Sequence, residues 1–177
     1  MKKVLYVTTV SRTINAFLVP HINMLLNDGY YVDCACSIDK ELDKSLINKG
    51  VKIFDIPFNR NPLSIANIKA FKELIKIQKE NKYDIVHVHT PIASFITRFA
   101  LRRNKVRMIY TCHGFHFYKG APIVNWLVYY PLERIAARWT DVLVTINSED
   151  LQIANNFNLR CNGNVFLMHG AGINNKE

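Results

Sequence analysis

Apolar positions along the chain switch repeatedly between unbroken short runs and spacings of three and four. This switching predicts strands and helices in alternation. Lys3–Thr8 (Lys-Val-Leu-Tyr-Val-Thr) is an apolar, β-branched run and predicts a buried parallel strand. Asn15–Asp28 places Phe17, Leu18, Ile22, Leu25 and Leu26 at helical spacing, and Gly29 supplies the stop. Tyr31–Ser37 predicts a second strand, and Asp39 is placed to cap a short helix ending at Gly50. Lys52–Ile56 predicts a third strand, closed by Pro57. Ser64 predicts the cap of a helix to about Lys82, with Ile65, Ile68, Phe71, Leu74, Ile75 and Ile77 inward and lysines outward. Strands over Ile85–His89, Met108–Cys112, Val142–Ile146 and Val165–Met168 then alternate with three helices. These run from Pro91 to about Arg103, from Pro122 to Arg138 with a kink expected at Pro131, and from a Ser148 cap to about Phe157.

Seven strands interleaved with six helices predict the α/β class: a Rossmann-like, doubly wound parallel sheet with helices on both faces. In such sheets ligands bind outside the carboxyl ends of the strands, where the strand order reverses. That rule selects the loops after the strands for scrutiny. The last residues, His169-Gly-Ala-Gly-Ile-Asn-Asn-Lys-Glu177, read as a loop leaving a strand and entering a hinge.

Composition narrows the function classes. The 177 residues are 49% hydrophobic and 21% charged, which is globular and excludes a disordered, collagen-like or coiled-coil chain. The formal charge is +9. From Arg60 to Arg138 there are 14 Lys/Arg against 4 Asp/Glu, so this one segment holds the whole basic excess. Nucleotide phosphates, an anionic membrane surface or nucleic acid would each explain it, as would a solvated basic face. The basic residues lie on several helices rather than along one groove-sized element, and no nucleic-acid motif is present, so nucleic acid is not expected as a partner. Cys34, Cys36, Cys112 and Cys161 form no CxxC; Cys34 and Cys36 point to one face of a strand, and buried free thiols in a reducing cytosol are expected. No signal peptide and no apolar run of membrane-spanning length occurs, so the expectation is a cytoplasmic protein.

Candidate chemistry sits in three loops. After the first strand, Thr8-Thr9-Val10-Ser11-Arg12-Thr13 contains no glycine, and the dinucleotide fingerprint G-x-G-x-x-G is missing. That argues against a dehydrogenase, because pyrophosphate needs close backbone approach. Hydroxyls, an arginine and a helix start there can still hold an anion or a sugar, with turn chemistry and a Thr13 cap as the plain alternative. After the fourth strand comes His87-Val88-His89-Thr90-Pro91. His87 and His89 share a face; His87 reads as a satisfied core histidine and His89, at the mouth, as the better ligand candidate. After the fifth strand, Thr111-Cys112-His113-Gly114-Phe115-His116-Phe117-Tyr118-Lys119-Gly120-Ala121-Pro122 gathers two histidines, three aromatics and a lysine, suited to sugars, bases and anionic groups. Four imidazoles without nearby carboxylates or HExxH make a metal site unexpected, and a hydrolase triad lacks G-x-S-x-G. The aromatic, basic segments Phe95–Arg103 and Pro122–Arg138 suit a membrane interface, or equally an apolar face over the sheet with arginines snorkelling outward.

The stretches Tyr83–Pro91, Ile109–Pro122, Asn125–Glu133 and Thr140–Asn147 resemble the N-terminal domain of bacterial family-4 glycosyltransferases of the GT-B fold, in the subgroup that builds capsular and exopolysaccharides. The resemblance covers essentially the whole chain. His169-Gly-Ala-Gly-Ile-Asn174 looks like the family's segment before the interdomain linker, although the family more often has proline where His169 stands. The resemblance implies an acceptor-binding domain over residues 1–169, an interdomain linker starting at 170–177, and a donor domain with its paired glutamates beyond. It implies retaining transfer from a nucleotide sugar, with no cofactor and no required metal. The acceptor implied is a sugar on a polyprenyl diphosphate carrier, met peripherally at the inner face of the cytoplasmic membrane. It implies that His113 lies by the transferred sugar and leaving diphosphate, as the catalytic residue. Thr9, Ser11, Arg12 and Asn15 match the loop facing acceptor and diphosphate. Phe115, His116, Tyr118 and Lys119 fit the acceptor wall, and His89 and Gly114 are expected to join them in binding acceptor or phosphate. A stand-alone, non-catalytic acceptor-binding subunit working with a separate donor-domain partner is the alternative.

Overall fold

A computed structural model of the chain describes residues 1–61 and 64–168. The expected domain boundary after residue 169 and the linker over 170–177 lie outside the described residues.

Seven parallel strands form one sheet in the order β3-β2-β1-β4-β5-β6-β7. They are β1 (Lys3–Val10), β2 (Tyr31–Ser37), β3 (Ile53–Asp55), β4 (Ile85–His89), β5 (Arg107–Cys112), β6 (Val142–Thr145) and β7 (Asn164–Leu167). The winding reverses between β1 and β4, which pair from Val4↔Ile85 to Val7↔Val88. β1 is central, and its side chains divide between two cores. Leu5 and Val7 join one cluster, while Val4 and Tyr6 join the other. A strand buried on both faces has no polar side to show, which is why its sequence reads as an unbroken apolar run.

The helices are shared unequally between the faces. α2 (Val19–Asn27) and α3 (Lys44–Asn48) bury Ile22 and Leu46 in the smaller core with Cys34 and Cys36. α4 (Ala66–Asn81), α5 (Pro91–Ala100), α6 (Ile123–Ala137) and α7 (Ser148–Ala154) cover the opposite face through Ala70, Leu74, Ala93, Ala100, Ala137 and Ala154. Cys34, Cys36 and Cys112 are buried free thiols, and Cys161 is an exposed one. Among the described residues no helix is long and apolar enough to cross a membrane.

Several local expectations are corrected. Helical structure after β1 begins at Ser11, not Asn15: α1 (Ser11–Thr13) passes through a π turn at Ile14–Leu18 into α2, so Thr13 lies inside it and caps nothing. Asp43, not Asp39, caps α3, accepting from the Ser45 amide at 2.8 Å. Asn147, not Ser148, caps α7, accepting from the Asp150 amide at 2.8 Å. On α4 the inward face is narrower than its apolar pattern: Ile65 and Ile68 are 82% and 58% exposed, and Ile75 is exposed too. Asn67 and Gln78 take inward places, Asn67 because its amide donates to the carbonyls of Asn59 and Asn61. Arg98 does not snorkel outward. It is 1% exposed and ion-pairs with Glu133 of α6 at 2.8 Å, with its guanidinium 4.2 Å over the Tyr110 ring.

Candidate functional site

The carboxyl ends of β1, β4 and β5 meet at the reversal point and divide the polar residues into two groups. On the face carrying α2, Tyr6, His87 and His89 form a ladder of rings, with His87 and His89 centroids 4.3 Å apart and Tyr6 stacked on His89 at 5.8 Å. The period of two along β4 puts both imidazoles on that face. His87 donates to or accepts from Thr111 Oγ1 at 2.8 Å. His89 is not at an open mouth as expected. It is 2% exposed, and its Nδ1 lies 3.1 Å from Nε2 of His113, in the loop after β5. The His89 Nε2 has no partner among the described residues. Phe17 from the π turn faces His113 with centroids 6.3 Å apart, and with His21 these groups line a small cavity of about 100 Å³.

Burial sets the charge state here. It depresses the His87 pKa to about 3, helped by the like charges that His21 and His113 would carry. It holds His89 well below the ordinary imidazole range, again with neighbouring histidines adding to the effect. His113 is lowered in the same direction by desolvation, although one edge is exposed. Between two neutral imidazoles the 3.1 Å contact holds one proton, donated from one ring to the other. If His113 Nε2–H donates, its Nδ1 is an acceptor; if His89 Nδ1–H donates, His113 Nδ1 carries the proton and is a donor. Either way one nitrogen of His113 is anchored, and the other has no hydrogen-bond partner among the described residues.

These depressed pKa values carry a stability consequence. Below about pH 6.5 an unfolded histidine takes up a proton that the folded His87 refuses, so stability falls as pH falls. At about pH 5.5 the loss is up to about 1.4 kcal/mol for His87, with His89 acting in the same direction. Urea titrations at about pH 7.5 and pH 5.5 should show the lower midpoint at the lower pH. A His87→Phe chain should show a smaller difference; equal sensitivity in both would mean these rings are not held neutral.

On the other face, Thr9 is the penultimate residue of β1 and Thr90 immediately precedes α5. The Thr9 amide donates to Thr90 Oγ1 at 3.0 Å, the two hydroxyls are 2.7 Å apart, and Thr90 Oγ1 donates to the His89 carbonyl at 2.5 Å. Thr90 has φ 62, an uncommon left-handed backbone for a β-branched residue, held there by these bonds. Thr9, Thr90, Arg60, His116 and Tyr129 line a pocket of about 310 Å³, with the His116 ring 4.8 Å from Tyr129.

The remaining expected residues are placed differently. Ser11, Arg12 and Asn15 fasten the loop after β2. Ser11 is buried with Oγ 3.0 Å from Asp39 Oδ1, and Asn15 donates to the Glu41 carbonyl at 2.8 Å and accepts from the Asp43 amide at 2.9 Å. The Arg12 amide donates to Asp39 at 3.1 Å and its guanidinium pairs with the same carboxylate at 2.8 Å. Partial desolvation would raise the Asp39 pKa, but the bonds from Arg12 and Ser11 and the Arg12 charge outweigh it and hold it low. Phe115 is not a wall residue: it is buried, stacked on Phe117 at 4.7 Å and packed edge-on to Phe157 at 5.8 Å. Its amide is held by buried Asp150, which the sequence did not single out because it comes from α7. Gly114 turns the chain at φ 128, a conformation only glycine adopts easily, so that His113 and Phe115 face opposite surroundings. Tyr118 and Lys119 are exposed at the rim; the Lys119 amide donates to Glu149 at 2.6 Å, and its ammonium makes no ion pair among the described residues. Thr90, Arg60 and Tyr129 were missed, and only the Thr-Pro step at a strand end hinted at Thr90. A larger opening of about 590 Å³ lies at the amino ends of β5–β7, where Asp141 and Arg160 already pair with each other. Among the described residues no group of three or more His, Cys, Asp or Glu side chains is placed to hold a metal ion.

The open seven-stranded parallel sheet with helices on both faces is the Rossmann-like fold that solved GT-B glycosyltransferases and epimerases share. A solved UDP-N-acetylglucosamine 2-epimerase matches 94% of the chain at TM-score 0.69 and 16% identity, the chain covering 47% of that structure. The family model described as Glycosyl transferase 4-like matches residues 3–147, and the chain belongs to this family. EpsD of Bacillus subtilis (strain 168), named as a glycosyltransferase, is 36% identical over 179 residues, covering 99% of this chain and 45% of EpsD. The UDP-Gal:alpha-D-GlcNAc-diphosphoundecaprenol alpha-1,3-galactosyltransferase of Escherichia coli is 33% identical over 132 residues, 73% of this chain and 34% of that protein. The chain thus spans about half the length of these relatives, or less.

Proposed function

We propose that this chain is the acceptor-binding half of a retaining glycosyltransferase that extends a polyprenyl-diphosphate-linked saccharide in surface polysaccharide synthesis. One observation carries the reading. The helix start after β1, where a nucleotide-binding domain of this fold would seat a diphosphate, is filled by the protein's own carboxylate. Asp39 accepts from the Arg12 amide and pairs with its guanidinium. With that anion site taken and no glycine in the loop, the domain is suited to an acceptor rather than to a nucleotide. The nucleotide sugar then binds mainly to a donor domain that continues the chain. The galactosyltransferase of Escherichia coli, named for a sugar on diphosphoundecaprenol, supports that acceptor class.

In this reading the acceptor's sugar lies between the Thr9–Thr90 pocket and His113. The neutral His113, anchored through Nε2, presents Nδ1 to the transferred sugar or the leaving diphosphate. Lys119 and Arg60 offset phosphate charge, and the basic segment from Arg60 to Arg138 favours an anionic membrane surface at the cytoplasmic side. The deciding assay follows transfer of labelled sugar from UDP-galactose or UDP-N-acetylglucosamine to a polyprenyl-diphosphate-linked N-acetylglucosamine. The 177-residue chain alone should give no turnover, and the same chain continued through a donor domain should restore it. Turnover at a normal rate by the isolated chain would sink the reading. No turnover with the donor domain joined would favour a non-catalytic acceptor-binding subunit instead.

A further inference from the structure

The pocket at the reversal point does not end at its polar residues. Pro91, Ile92 and Tyr129 are shared with a second, apolar groove of about 310 Å³ between α5 and α6, lined by Phe95, Val128 and Leu132. Phe95 and Ile96 in turn carry the groove towards Phe71 and Phe99 between α4 and α5. The result is one trough that starts polar at Thr9, Thr90 and Arg60 and continues apolar along α5. Glu133, the one carboxylate lining it among the described residues, is paired with Arg98 at 2.8 Å. The lip of the trough is α6, which exposes Ile123, Val124, Leu127 and Val128 at 70%, 61%, 69% and 45%. Arg134 on the same helix and Arg138 at its C-cap are exposed. Contiguous exposed apolar surface of this kind beside basic residues marks a lipid or partner surface.

We propose that the α5–α6 groove holds the head-proximal isoprene units of a polyprenyl diphosphate, with the diphosphate at Arg60, Thr9, Thr90 and His116. This rests on the acceptor reading above and adds to it the seat of the lipid. An occupant must be anionic and polar at one end and hydrocarbon at the other, because the trough changes character within one helix length. α5 has 10 residues, or about 15 Å. A groove of this volume lies at the small end of ligand sites, so it takes only the first part of the chain. The rest of the lipid stays in the membrane against the exposed face of α6.

Isothermal titration of the 177-residue chain with farnesyl diphosphate and with inorganic diphosphate tests the proposal. Farnesyl diphosphate should bind at least tenfold tighter. The double substitution Val128→Gln/Leu132→Gln, at two exposed positions, should abolish that gain and leave inorganic diphosphate binding unchanged. Leu127→Gln, also exposed but not lining the groove, should change neither. If both ligands bind equally, or the double variant keeps the gain, the groove is not the lipid seat, while the acceptor reading stands on the diphosphate. If neither binds, the head pocket and the acceptor reading fall with it. A concentration-dependent dimer in sedimentation, dissolved by the double variant and without any farnesyl gain, would assign this face to a second copy and overturn the proposal.

Discussion

His113→Ala should lower kcat/KM of the donor-joined enzyme by about 10²- to 10³-fold while leaving the fold intact, the size expected for removing one preorganised polar group from developing charge. His113 is exposed at one edge and outside both cores, so truncation creates no buried hole. Its partner is not equivalent. His89 is buried and touches His113 through Nδ1 at 3.1 Å, so it acts by orienting the ring. His89→Phe should therefore lower kcat less than His113→Ala and leave the acceptor KM near its starting value. The pH profile adds a second check. Desolvation lowers the His113 pKa, so the neutral form persists below the usual imidazole range near 6.5. The acid limb of kcat/KM should lie below that value in the parent enzyme and disappear in His113→Ala. A His113→Ala enzyme within about threefold of the parent would remove His113 from the chemistry.

Arg98→Met should destabilise the chain by about 3–5 kcal/mol, a large share of the stability of an ordinary domain. Arg98 is 1% exposed and its side chain bonds Ser94 Oγ at 2.7 Å and Glu133 at 2.8 Å. Removing the guanidinium leaves the Glu133 carboxylate buried, with only a long 3.4 Å contact from the Tyr110 hydroxyl among the described residues. An uncompensated buried charge costs more than the lost pair contributed. The double substitution Arg98→Met/Glu133→Leu should recover most of the loss, because both charges go together. Chemical denaturation of the three chains measures the coupling. Equal losses in the single and double variants would mean that the cost is packing, not charge. The same pair ties α5 to α6 along the trough proposed to hold lipid, so the single variant should also weaken farnesyl diphosphate binding.

The order of elements and the class of sheet were legible because each depends on neighbours in the chain. The apolar run of β1, the Pro91 start of α5 and the period of two that aligns His87 with His89 are local facts. The family followed from local stretches too. Tertiary structure decided the rest. Ile65, Ile68 and Ile75 fit a helical stripe, yet α4 buries a narrower face and leaves them in solvent. Phe115 stands beside His113 in the chain, but Gly114 turns the backbone and sends the phenyl ring into the core. Whether Arg12 and Ser11 would meet a ligand or Asp39 depended on how the loop after β2 lies against β1, 27 and 28 residues away. The contact between His89 and His113 exists because β4 and β5 are paired, and the Arg98–Glu133 pair because α5 and α6 pack side by side, 35 residues apart. Hydrophobic period reports which residues share a face of one element. It carries no information about which loops converge, because strand order and helix placement are settled by burial across the whole sheet.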